Sequence, residues 1–414
     1  MEPTKEEEVK IIEITLRELE PVLRSELGNA LIVESYTTKS FLLPGENYGS
    51  TILAVDAVIR RTEHDEKEDL HMIAKMPPPT EFQRRIFNSP FTFNKEILFY
   101  EDVFPAYRRL EKEYGIKENE LFDILSKYYG SRRSLTPEID FDDNAVILLE
   151  NLKKRGYYTG KRSIGYDLAH SKLAVRAMAR FHALGIAMRC KKPDVFARIK
   201  KTSECMKINM DEFSAAHLPV LARIKEDPIT SVYHDRCEKI LTDENLLESW
   251  FAQPEGPWAT IIHSDFWVNN IMFHSDENGH VDDVKFVDFQ NYVYSKPVRE
   301  LIFYLHSSVD DDVWENHLEE LVDLYYETFI SVLKRIDCDV TPFAREHFDA
   351  QFPIDAKIEF VHLTFMIKVL TIDIEQTKLD NSTMRSVMTN YGGNEIYGNR
   401  LRRLILYFDQ HGWI

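Results

Sequence analysis

Two stretches of this 414-residue chain carry side chains whose types and spacing suit phosphoryl transfer: His263-Ser264-Asp265-Phe266-Trp267-Val268-Asn269-Asn270 and, a short way on, Val287-Asp288-Phe289-Gln290. Phosphoryl transfer asks little covalent chemistry of a protein. It needs a carboxylate to orient the attacking hydroxyl and take its proton, and oxygen ligands to hold Mg2+ on the phosphates. An HxDxxxxN run followed by a second aspartate supplies that set. Between the two stretches, the apolar runs Ile271 to Phe273 and Val284 to Val287 flank Asp276-Glu277-Asn278-Gly279, and Asn-Gly is a strong turn signal. A hairpin is therefore expected. Folding it back brings Asn270, Asp288 and Asp265 to one metal-phosphate site, although a hairpin with incidental surface acids would look similar taken alone.

Further elements precede these in the chain. Gly45-Glu46-Asn47-Tyr48-Gly49-Ser50 forms a glycine-containing turn into an expected strand, Thr51 to Arg60, in which Ile52, Ala54 and Val58 loosely keep a period of two. Without side chains at Gly45 and Gly49 the backbone could approach phosphates closely, or simply turn. The run Leu70 to Lys75, ended by Pro77-Pro78-Pro79, is the expected returning strand, and a lysine at its end could bind phosphate oxygens as a point charge. A helix over Asn94 to Phe104 carries Glu96, either as partner to Lys75 or as a solvated acid favouring the helix dipole. Ala145 to Leu152 is an apolar strand breaking into polar residues, a form that lets backbone groups meet the edge of a base.

In these stretches, together with Ala179-Arg180-Phe181-His182-Ala183, the chain resembles the choline-kinase-like and aminoglycoside-phosphotransferase-like branch of the protein-kinase-like fold, and within it the insect ecdysteroid-kinase-like family. Trp267 with Asn269-Asn270 is particularly like that family. The resemblance implies Asp265 as catalytic base, Asn270 and Asp288 as Mg2+ ligands, and Lys75 with Glu96 as the phosphate-orienting pair. It also implies Gly45, Asn47, Gly49 and Ser50 as the phosphate turn, Glu150, Asn151 and Leu152 as the nucleotide hinge, and a bracing role for His263. Two positions depart from the pattern: Ser264 stands where glycine is usual, and Glu300 where aspartate is usual. The implied function is an ATP- and Mg2+-dependent kinase acting on a small-molecule alcohol, an ecdysteroid or a similar apolar alcohol. A choline- or ethanolamine-type kinase is the alternative within the branch, with Glu300, Asp310, Asp311 and Asp312 as candidate acids for a cation cage. A pseudokinase scaffold is the alternative outside enzymes, and retention of Lys75, Asp265, Asn270 and Asp288 together argues against it.

The expected architecture is α+β and bilobal: a mainly β nucleotide-binding lobe over residues 1–150 and a mainly helical catalytic and acceptor lobe over 151–414. Helices are expected at Lys5 to Leu27, Asp167 to Met188, Ser203 to Ile224, Ser231 to Ala252, Val298 to Ser307, Asp311 to Leu333, Pro342 to Gln351, Pro353 to Glu375 and Ile396 to Gln410, with Lys191 to Lys201 a basic connection. Most aromatic residues of the late helices read as core, although the resemblance implies that these helices also wall the acceptor pocket, and His182 reads as a packed core histidine. With 51 Lys+Arg against 69 Asp+Glu the net charge is −18, which argues against nucleic-acid or anionic-membrane partners. No apolar run reaches the roughly eighteen residues of a membrane span, and the acidic N-terminus lacks a signal-peptide core, so a cytoplasmic location is expected. The four cysteines show no CxxC spacing, against both structural zinc and a disulfide scaffold.

Overall fold

A computed structural model describes residues 14–41, 49–206, 217–372 and 393–414. The chain forms two compact units, one of residues up to Ile97 together with Ser126–Arg155, the other of Leu98–Leu125 with Gly156–Ile414. The first is built on an antiparallel sheet of β1 (Ile32–Ser40), β2 (Thr51–Arg60), β3 (Glu68–Met76), β4 (Tyr128–Arg132) and β5 (Val146–Glu150), in the order β1-β2-β3-β5-β4. In β2 the buried set is Leu53, Val55, Ala57 and Ile59. That is the opposite parity to the Ile52, Ala54 and Val58 expected, because both faces of the strand are apolar and alternation alone does not choose between them. Helix α1 (Leu19–Leu27) packs on β4, and Gly130 permits it: a Cβ there would lie 2.5 Å from the Val22 carbonyl oxygen. Expected from Lys5, the helix begins only at Leu19 among the described residues, with residues 14–18 not helical. The short α2 (Glu81–Ile86), capped by Thr80, and α3 (Ser89–Leu98) complete this unit's main elements.

The second unit begins with a π-turn at Phe99–Val103 that leads into α4 (Phe104–Glu113), so the expected Asn94 to Phe104 helix is part of a longer helical run. At its centre lies α5 (Leu168–Lys191), started by an Asp167 side chain that accepts from the His170 amide. A short ladder of β6 (Thr260–Ile262) with β9 (Val293–Ser295) and the hairpin β7 (Ile271–Ser275) and β8 (Val281–Phe286) surround the chemistry-bearing loop. The remaining helices are α6 (Pro193–Thr202), α7 (Leu218–Glu226), α8 (His234–Leu241), α9 (Glu244–Phe251), α10 (Pro297–Ser307), α11 (Asp311–Asn316), α12 (Leu318–Arg335), α13 (Arg345–Asp349), α14 (Phe352–Thr371) and α15 (Glu395–Gln410). Several bounds correct the sequence reading. The basic connection Lys191 to Lys201 is mostly helix α6, whose buried Phe196 and Ile199 are spaced i,i+3 among lysines that mask them. Ser231 to Ala252 is split, because Asp243 caps a new helix through the Asn245 amide. Asp311 to Leu333 is likewise divided at His317, and Pro342 to Gln351 keeps only α13 after a 3-10 turn. The described part of Ser203 to Ile224 is helical only from Leu218.

Candidate active site

The loop from His263 to Trp267 leaves β6 and enters the hairpin through a 3-10 turn at Val268–Asn270. His263 is fully buried; its Nε2 lies 2.9 Å from the Val287 carbonyl oxygen and its Nδ1 3.3 Å from the Asp265 amide nitrogen. A carbonyl only accepts and an amide only donates, so the proton sits on Nε2, and the imidazole ties the loop to the residue preceding Asp288. Val287 in turn donates its amide to the Asn270 carbonyl at 3.0 Å. Asn270 Nδ2 donates to both the Asp265 carbonyl and its carboxylate Oδ2, at 2.9 and 3.0 Å. With its nitrogen spent on Asp265, Asn270 has Oδ1 available as a hard oxygen ligand.

Asp288 sits in the left-handed region at φ 68° and opens the Phe289–Asn291 turn. Phe289 stacks on Phe99 at 3.8 Å and meets the His263 ring at 4.5 Å. Asp265 keeps some surface, yet burial pushes its carboxyl up, and the charge of Asp288 adds to the rise. The imidazole of His362, the Asn270 hydrogen bond and the nearby Trp267 indole oppose this, leaving the group at about 6. A carboxylate that titrates there is suited to take a proton near neutral pH.

Glu300 supports the loop from beneath. Its carboxylate accepts from the Ser264 amide at 2.5 Å, the His263 amide at 3.2 Å and His182 Nε2 at 2.7 Å. Burial raises this carboxyl, but the hydrogen bond and charge of His182 and the Ser264 amide, among others, outweigh it and hold it below the usual carboxylate value. The longer side chain thus reaches the loop amides, and His182, a fully buried core histidine on α5, links Glu300 to Tyr325 Oη at 2.7 Å. Ser264 adopts φ 69°, a conformation that favours glycine.

In the first unit Lys75 Nζ lies 2.5 Å from Glu96 Oε2, with both side chains at 5% exposure or less. Glu96 is therefore not a solvated helix acid. Removing either partner alone would take an opposite charge away from a buried ion. Ser50 is buried beside Gly49 at the start of β2, while Gly45 and Asn47 lie outside the described residues. At the end of β5 the amides of Glu150 and Asn151 donate to the Lys127 and His71 carbonyls, and among the described residues no strand pairs with Leu152. Glu150 also meets Arg155 at 2.8 Å.

A small cleft opens in the second unit beside Ser264, walled by Trp250, Phe251, Tyr294, Phe303 and His362. The sequence reading took most aromatics of the helices after Asp288 as core and expected those helices also to wall an acceptor pocket, without saying which side chains; the histidine three residues after Glu359 on an apolar helix was the available signal. Arg299 lies over Trp250 at 4.1 Å from the ring centroid and pairs with Glu359 at 2.8 Å. The acids proposed for a cation cage are committed elsewhere: Asp310 caps α11, Asp311 pairs with Arg403, Asp312 accepts from Asn316, and Glu300 holds the loop.

Among solved structures, the chain is similar to the GDP and kanamycin complex of the aminoglycoside phosphotransferase APH(2")-IIia, at 11% identity and a TM-score of 0.39, over 94% of this chain and 98% of that one. It is also similar to the streptomycin and ATP ternary complex of APH(2")-IIa, at 14% identity and a TM-score of 0.31, over 92% and 99%. The comparison with curated proteins gave no match. The model of the ecdysteroid kinase-like family matches residues 44–338, a span that holds the Lys75–Glu96 pair, the Asp265 loop and Asp288. The chain belongs to the ecdysteroid kinase-like family.

Proposed function

We propose that this chain is an ATP- and Mg2+-dependent kinase that transfers the γ-phosphoryl group to a hydroxyl of a neutral, largely apolar alcohol, an ecdysteroid or a molecule like it. The observation that carries the reading is the grouping of Asp265, Asn270 and Asp288, in which Asn270 is oriented by Asp265 and Asp265 feels the charge of Asp288. The acceptor oxygen attacks the γ-phosphorus, the bond from that phosphorus to the bridging oxygen breaks, ADP leaves, and the hydroxyl proton passes to Asp265. Asn270 Oδ1 and the Asp288 carboxylate are hard oxygen donors that fit Mg2+, whose charge would offset that of the phosphate oxygens. Lys75, oriented by Glu96, binds phosphate oxygens together with the backbone of Gly49 and Ser50; Gly45 and Asn47, the other residues of this proposed phosphate site, lie outside the described residues. The backbone from Glu150 to Leu152 meets the adenine.

The cleft favours a neutral acceptor over choline or ethanolamine. Its carboxylates are spent on Arg299, His362 and the loop amides, and the Trp250 face that a cation would seek is taken by Arg299. Among the described residues no helix is long and apolar enough to cross a membrane. A cytoplasmic location without nucleic-acid partners is part of the proposal, the latter resting on the net charge of −18.

Asp265→Asn tests the reading, because the proposed work of Asp265 is done on the acceptor and not on ATP. Mg-ATP affinity should stay near that of the wild type while single-turnover transfer to an alcohol drops by roughly 10²–10⁴-fold. Equal transfer rates in the two proteins would remove Asp265 from the chemistry.

A further inference from the structure

The inner end of the cleft is an ordered polar line set between aromatic rings. Arg299 Nε lies 2.8 Å from Glu359 Oε1, and Glu359 Oε2 lies 3.1 Å from His362 Nδ1. The His362 ring stacks on Phe303, with centroids 4.2 Å apart and planes 16° apart, and meets Trp250 edge-on at 4.7 Å. Two rings and a carboxylate therefore fix the position and rotation of this imidazole. Such fixing is expensive in side-chain entropy when no contact uses the result. Nδ1 is occupied by Glu359, whereas Nε2 makes no hydrogen bond among the described residues, and the ring borders the cleft. One fact relates this nitrogen to the reaction: Ser264, next to Asp265 in the chain, lines the same cleft.

Resting on the kinase reading above, we propose that His362 is the specificity-determining residue for the acceptor: its Nε2 hydrogen-bonds an oxygen of a neutral alcohol held in the cleft beside it. Glu359 acts at one remove, as a positioning residue that fixes which imidazole nitrogen faces the cleft. Arg299 belongs to the same device: by holding Glu359 and covering the Trp250 face it removes both features an ammonium group would bind. The pocket so built takes a rigid, uncharged molecule with oxygen at its polar end and rejects a quaternary or primary ammonium.

Two substitutions separate the nitrogen from the ring. His362→Phe keeps the stack on Phe303 without the nitrogen; His362→Gln keeps a polar atom at similar reach without the ring. Each is assayed in the full chain with ecdysone, a set of aromatic alcohols and choline as acceptors, by steady-state kinetics and by quenching of tryptophan fluorescence in the absence of ATP. A Trp250→Phe protein identifies the signal from the cleft. His362→Phe should raise the acceptor KM and weaken binding of the neutral alcohol by about 5–10-fold, the worth of one hydrogen bond, with the KM for Mg-ATP unchanged. His362→Gln should recover most of that loss, and a purely structural role would not give this split. Wild type that phosphorylates ecdysone or an aromatic alcohol, with an acceptor KM untouched in His362→Phe, overturns the inference and leaves the kinase reading standing. Wild type that binds a neutral alcohol without transferring phosphate overturns the kinase reading, while the binding titration still decides the role of His362. Binding of choline in preference to every neutral alcohol overturns the proposed selectivity, and a wild type that neither binds nor phosphorylates any neutral alcohol overturns both.

Discussion

Ser264 shows how a single side chain can be legible in identity and illegible in conformation. Its place beside Asp265 is plain in the sequence, and the family resemblance marks it as a departure from glycine. The reason glycine suits the position lies in the backbone, which turns to φ 69° so that the Ser264 amide reaches Glu300. Left-handed backbone costs a non-glycine residue about 1–2 kcal/mol, partly offset by the greater freedom that glycine has in the unfolded chain. Ser264→Gly should therefore stabilise the protein by up to about 1 kcal/mol in urea unfolding with phosphoryl transfer retained. An unchanged or lowered midpoint would mean that the serine hydroxyl compensates for the strain. Glu300 carries a similar lesson. The sequence raises the question whether a glutamate can replace an aspartate beneath the loop, and only side-chain reach within a packed interior answers it.

At the scale of elements, the hairpin bearing Asn270 and Asp288 was readable because Asn278-Gly279 marks its turn and apolar runs flank it, and the observed pairing joins Ile271 to Phe286. Local chemistry wrote that element. Helix α6 was not readable, since its burial depends on what it packs against rather than on its lysine-rich composition. Gly185, near the C-terminal end of α5, is another position governed by a neighbour. A glycine inside a helix normally gains up to about 1 kcal/mol on replacement by alanine. Here a Cβ would stand 2.2 Å from Thr260 Oγ1 and 3.3 Å from the Ile261 amide nitrogen, at the strand that leads into the loop. Thr260 has little room to turn away, because its hydroxyl donates to the His182 carbonyl at 2.8 Å. Gly185→Ala should therefore destabilise the protein by about 1–3 kcal/mol, the usual range for overpacking, and lower activity as β6 shifts. Retention of full stability, measured by chemical denaturation, would show that α5 and β6 are not tightly coupled.

For the molecule as a whole, the acidic net charge and α+β organisation were legible, whereas the cleft was not: Trp250, Arg299 and the Glu359–His362 pair lie far apart in the sequence and meet only through packing. The same holds for His306, which α10 buries among Trp314, Tyr407 and Phe408 with Nδ1 unpartnered among the described residues. Burial, aided by the nearby His411 and Arg403 charges, lowers this imidazole from 6.5 to about 3. The unfolded chain thus binds the proton more readily, so stability present at neutral pH is lost as pH falls from the unfolded value toward the folded one. Between pH 7 and pH 5 the wild type should lose about 2 kcal/mol more than His306→Phe, and parallel stability curves would show that His306 gains a proton without penalty. The support beneath the loop also bears on the order of assembly. Its hydrogen bonds join residues 118 positions apart, from His182 to Glu300, and 143 apart, from His182 to Tyr325. Contacts that close such long loops form late relative to hairpins and single helices. A nascent chain can thus complete the β7–β8 turn while the backbone carrying Asp265 still lacks its support, and catalytic competence arrives only when α5, α10 and α12 have docked together.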